Sequence, residues 1–205
     1  MIYLEKSGLA APTLAPARRK FLSDFRHLTL SATALTLLAG ANTGASARTK
    51  PSKAAPDADV RTLNVLLALE HEGINAYQLA IGSGLLQKPV QDTATLFQSR
   101  HKSHRDTLIS VIEMLRGKPA EEKKLDVYAK DLNASALKSQ ADVLALATRL
   151  ELGAANTYLG FIPAFKDSHL GLLAGRLAAD ETMHYTALLQ ATGQPIPAMA
   201  LTLGA

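Results

Sequence analysis

The sequence predicts an all-α fold: four long helices joined as two antiparallel hairpins, with one long crossover between the hairpins. Three observations carry this. Apolar residues recur at steps of three and four over four long stretches, and none sustains the alternation of a strand. Prolines and glycines cluster between those stretches. The chain also repeats itself. Leu69-Glu70-x-x-x-x-Asn75-x-Tyr77 matches Leu150-Glu151-x-x-x-x-Asn156-x-Tyr158, and His101-x-x-His104 matches Glu181-x-x-His184.

Residues 1–47 read as an export signal. Arg18-Arg19-Lys20-Phe21-Leu22 resembles the twin-arginine motif. The apolar stretch from Leu28 to Ala41 is too short to span a bilayer and suits a signal-peptide core. Ala45-Ser46-Ala47 supplies a small-x-small cleavage pattern, which predicts a mature start at Arg48. The stretch ahead of the arginine pair is long for a signal peptide, and the competing reading is a membrane anchor or a helix kept with the fold. The twin-arginine resemblance implies a periplasmic protein, exported already folded, with no membrane anchor after cleavage. Residues 48–58 read as a Pro-, Ala- and Lys-rich linker, residues 59–195 as the bundle and residues 196–205 as a tail.

Four helices fill the bundle, over 59–81, 92–116, 135–162 and 168–192. Gly82, Gly84 and Pro89 separate the first two, with Asp92 as the expected cap of the second. Gly117-Lys118-Pro119 ends the second, Pro163 the third, and Gly193-Gln194-Pro195 the fourth. Short connections imply antiparallel neighbours, and residues 117–134 form the long crossover, with room for a short helix over 121–130.

Composition narrows the chemistry. The 205 residues are 47% hydrophobic and 20% charged, a globular balance, and contain no Cys, which excludes disulfides, thiolate metal sites and cysteine nucleophiles. The net charge of +4 hints at a polyanion partner. Removing the five basic and two acidic residues of 1–47 leaves 17 basic against 16 acidic, so no nucleic-acid partner is expected. No P-loop, dinucleotide fingerprint or nucleophile elbow is present.

Each predicted helix carries ionisable residues inside its apolar stripe. The stripes are Leu63, Leu66, Glu70, Ile74, Tyr77, Ile81; Phe97, His101, His104, Leu108, Ile112, Leu115; Leu144, Ala147, Glu151, Ala154, Tyr158, Phe161; and Leu170, Ala174, Leu177, Glu181, His184, Leu188. A buried carboxylate without a partner costs several kcal/mol, so three Glu and three His converging from four helices need a common partner. A divalent metal is one, since it accepts carboxylate oxygen and imidazole nitrogen together. The spacing i, i+3 sets both members of a pair on one helix face. Glu70, His101, His104, Glu151, Glu181 and His184 are therefore the expected metal ligands. A solvated face around Arg100-His101-Lys102 competes for His101.

Other residues stand near these. His71 and Glu72 point off the stripe and read as surface or supporting groups, and His169 as exposed. Asp180 and Asp106 are placed to orient imidazoles. Tyr77 and Tyr158 read as core packing, with a phenol able to reach a ligand carboxylate.

The order Glu, x-x-His pair, Glu, Glu-x-x-His, with a long central crossover, resembles the ferritin-like di-iron and di-manganese carboxylate bundles over roughly residues 59–192. That resemblance implies a ferritin-like four-helix bundle holding iron or manganese, in a dinuclear site, with dioxygen or peroxide as reactant. The chain departs at His101, where the family has a Glu that bridges the metals. A neutral imidazole cannot bridge in the same way, and only three carboxylates remain. Unusual bridging, a mononuclear site and a different metal, zinc included, all stay open, as does oligomerisation. Two functional readings follow: an exported metal-binding protein with oxidoreductase chemistry of ferroxidase or peroxidase type, and a metal-free bundle acting in the envelope as a stress-response or interaction protein.

Overall fold

The structure, a computed structural model, describes residues 54–198. The expected signal at 1–47, most of the linker and most of the tail lie outside those residues. The described residues form five α-helices and no strand: α1 Ala54–Gly82, α2 Lys88–Met114, α3 Leu125–Asp131, α4 Gln140–Phe161 and α5 Ser168–Ala191. Helices α1 and α2 pair as one hairpin and α4 and α5 as the other, with α1 also packing on α4. The crossover carries α3 and a 3-10 turn at Ala134–Ala136. No helix among the described residues is long and apolar enough to cross a membrane.

The ends of the helices depart from the sequence reading, and each departure has a local cause. Helix α1 begins at Ala54, inside the expected linker. Pro56 is tolerated there because the first-turn N–H groups have no intrahelical acceptor. Helix α2 begins at Lys88 for the same reason, with Pro89 in its first turn. Asp92 is therefore not a cap; it pairs with Lys88 one turn back. Helix α4 begins only at Gln140, where Ser139 caps it by accepting from the Asp142 amide at 3.2 Å. The crossover helix starts at Leu125 rather than 121.

Two apolar layers fill the bundle. One gathers Leu63, Leu66, Leu67, Leu108, Ile112, Tyr158 and Leu170 with Ala174, Leu177 and Ala178. The other gathers Tyr77, Ala94, Phe97, Leu144 and Leu188. In sequence the polar stripe residues of all four long helices fall between these layers, so both sides of the polar zone are closed by hydrocarbon. Each fully buried Leu or Ile contributes about 1.5–3 kcal/mol to that closure.

The crossover is held to α1 by polar contacts. The Asn64 side chain donates to Lys118 O at 3.1 Å and accepts from the Ala120 amide at 2.6 Å. His71 Nε2 donates to Ala120 O at 3.3 Å, and Asn75 donates to Glu122 Oε1 at 2.6 Å. His71 and Glu72 are thus not surface groups. They are 4% and 5% exposed, beneath this strap. At the other end Asp59 accepts from the Lys166 and Asp167 amides and fixes the α4–α5 turn.

Candidate metal centre

All six stripe residues are buried: Glu181 is 0% exposed, Glu70 and His184 1%, Glu151 2%, His101 4% and His104 6%. The solvated alternative for His101 is thereby excluded. The six form two groups of four whose donor atoms all lie within 4.8 Å of one another: Glu70, His101, His104, Glu181, and His101, Glu151, Glu181, His184. His101 and Glu181 belong to both.

The contacts are crosswise. His101 Nδ1 lies 2.8 Å from Glu70 Oε2, and its Nε2 3.3 Å from Glu151 Oε1. His104 Nδ1 lies 3.1 Å from Glu181 Oε1, and His184 Nδ1 3.2 Å from Glu181 Oε2 and 3.4 Å from Glu151 Oε2. The tyrosines cross between the hairpins. Tyr77 of α1 donates to Glu151 of α4, and Tyr158 of α4 donates to Glu70 of α1. Each phenol therefore fixes the carboxylate of the other half.

Behind the imidazoles, Asp180 meets His104 Nε2 at 3.1 Å, as its position suggested. Asp106 does not orient a ring; it pairs with Arg105 at the surface. His169 is exposed. Phe97 stacks on His184 with ring centroids 4.1 Å apart. Gly73 faces His101 so closely that a Cβ there would sit 3.1 Å from Nδ1. The stripe pattern gave no sign of this glycine's role, because the ring it faces belongs to another helix.

Electrostatics bind the cluster together. Burial pushes Glu70 up, but the charge and hydrogen bond of His101 overcome it and bring it to about 2. Glu151 is lowered in the same way, by His101 and His184 against burial. Burial pushes His104 down, but its bonds to Glu181 and Glu70 raise it to about 10. His101 and His184 are raised likewise by the carboxylates around them. Glu181 alone among the carboxylates is held up, by burial and then by the charge of Glu70.

This donor set fits a divalent metal. Three carboxylates and three imidazoles are the ligand types of iron, manganese and zinc sites. His184 Nε2 is buried without a hydrogen-bond partner. The nitrogen of this ring that a cation could take is therefore Nδ1, which faces Glu151 and Glu181. A cavity of about 40 Å³ opens onto Glu70, Tyr77, His101 and Glu151 between α1, α4 and the crossover. That is room for a few water-sized molecules.

Residues 58–194 match the family described as "ferritin-like domain". A solved structure of a conserved hypothetical protein, rv2844, from Mycobacterium tuberculosis shares the fold. It is 22% identical, with a TM-score of 0.56, over 72% of this chain and 100% of that one. No curated protein matches the chain.

Proposed function

The chain belongs to the ferritin-like domain family, and on that premise we propose that it is an exported metal-binding protein. It holds iron or manganese through Glu70, His101, His104, Glu151, Glu181 and His184. The observation that supports this most is the burial of three carboxylates and three imidazoles in one contact cluster between two apolar layers. A bound metal would supply redox chemistry toward dioxygen or peroxide. The chain's own residues do the rest. The apolar layers close the polar zone on both sides. Tyr77 and Tyr158 fix two carboxylates, and Asp180 fixes the His104 ring. The cavity beside Glu70, His101 and Glu151 has room for a reactant of dioxygen or peroxide size. Export to the periplasm rests on the sequence of residues 18–47.

The test is metal content. The mature protein, purified from the periplasm without chelators or a His-rich tag, should carry stoichiometric iron or manganese by mass spectrometry. The Glu181→Ala/His184→Ala variant should carry none. Stoichiometric zinc in place of iron or manganese would make the centre structural.

One observation favours a second reading, a metal-free envelope bundle. Imidazoles contact all three carboxylates, so three protonated rings compensate three charges without a metal. That reading requires no stoichiometric metal even after reconstitution.

A further inference from the structure

The two ligand groups share two residues, and each shared residue turns a different atom to each group. Glu181 gives Oε1 to His104 and Oε2 to His184. His101 gives Nδ1 to Glu70 and Nε2 to Glu151, and both its nitrogens lie against carboxylates 1% and 2% exposed. No ring nitrogen of His101 is left facing solvent or backbone.

The scaffold makes room for this ring. Gly73 lies three residues after Glu70, and a Cβ there would stand 3.1 and 3.2 Å from Nδ1 and Cε1 of His101. The repeat-equivalent residue, three after Glu151, is Ala154. The half that receives the imidazole has a glycine inside a long helix, at a cost of about 1 kcal/mol. The Tyr77 ring lies 5.6 Å from the imidazole, and its hydroxyl bonds the same Glu151 oxygen that faces Nε2.

We propose that His101 bridges two divalent cations, with Nδ1 on the ion held by Glu70, His104 and Glu181 and Nε2 on the ion held by Glu151, Glu181 and His184. The inference rests on the metal-binding reading above. Binding breaks both ring N–H bonds, and the protons pass to solvent as the two metal–nitrogen bonds form. His101 thereby links the two ligand groups to which it belongs.

The experiment loads the metal-free mature chain with Mn²⁺ and reads ions per chain by mass spectrometry and coupling between ions by electron paramagnetic resonance. The wild type should hold two ions with an exchange-coupled spectrum. His101→Ala should hold one, or two with a changed coupling carried by Glu181 alone, and His101→Glu should restore a carboxylate-bridged pair. Gly73→Ala, which keeps all six ligands, should weaken the second ion at least tenfold, with circular dichroism confirming that each variant is folded. One ion in the wild type, or two ions whose coupling His101→Ala leaves unchanged, overturns the bridge and leaves the metal-binding reading standing. No binding of Mn²⁺, Fe²⁺ or Zn²⁺ at all removes both.

Discussion

The two hairpins carry the same frame and differ at the position that matters most for charge. In each, a Glu on the first helix is followed at matched offsets by an Asn and a Tyr: Glu70, Asn75, Tyr77 and Glu151, Asn156, Tyr158. On the second helix the first half places His101 where the second places Glu181, and the first half has Gly73 where the second has Ala154. The tyrosines are exchanged symmetrically between the halves, so the frame tolerates the swap. What the swap changes is how the metal-free protein neutralises itself. With His101 protonated the cluster is balanced, three against three; with Glu in that slot it would carry four negative charges against two.

The largest effects come from the slot residues themselves. Glu181→Ala removes the carboxylate shared by both ligand groups, and should lower Mn²⁺ affinity by more than about 100-fold in calorimetric titration, beyond what losing a supporting partner costs. Glu70→Ala touches one group only and should spare the Glu151–His184 ion. Equal losses in the two variants would break the picture of two groups joined at Glu181.

Making the halves alike should expose the charge problem. His101→Glu should destabilise the metal-free protein by about 3 kcal/mol at neutral pH, since it leaves a buried carboxylate uncompensated. Thermal melting should show that loss and its recovery on adding metal. A variant as stable as the wild type without metal would mean that His101 is neutral in the fold.

The pH dependence sharpens the same point. His104 in the folded chain stands at about 10, above its unfolded 6.5, so its stabilisation is complete below about 6.5 and is lost as pH rises toward 10. His101 and His184 are shifted in the same direction. Glu70 stands at about 2, so its contribution is present above its unfolded value of 4.5 and lost as pH falls toward 2. The metal-free melting temperature should therefore decline from pH 6.5 to 10. Metal affinity should climb over that same range, because metal and protons compete for the rings. A metal-free protein that gains stability across that interval would contradict the assignment.

Smaller effects test the frame. Tyr77→Phe and Tyr158→Phe should each weaken metal binding about tenfold and to a similar extent, given their crossed and equivalent bonds. Glycines give the mildest contrast. Gly153 meets nothing within 4 Å of an added Cβ, so Gly153→Ala should stabilise the fold by about 1 kcal/mol through helix propensity. Gly73→Ala should gain nothing net, because its Cβ presses on His101.

Much of this was legible in the sequence. The apolar stripes named the buried face of all four long helices, because a period of three and four admits one face only. The six polar residues on those stripes are the six that meet. Less legible were features that depend on what another segment does. The depth of His71 and Glu72 comes from the crossover lying over α1, which no periodicity within α1 encodes. The role of Gly73 depends on the ring of a different helix. The early starts of α1 and α2 were hidden by prolines, which read as breaks and here sit harmlessly in first turns. Asp106 and Asp180 both neighbour ligands in sequence, and the structure shows that only Asp180 reaches an imidazole, on the facing helix.

The most direct measurement is anomalous X-ray scattering from crystals of the mature chain grown with Mn²⁺. The account predicts two peaks, one among Glu70, His104 and Glu181 and one among Glu151, Glu181 and His184, with the His101 ring between them. Absence of any peak there, with the carboxylates paired only to imidazoles, would contradict it.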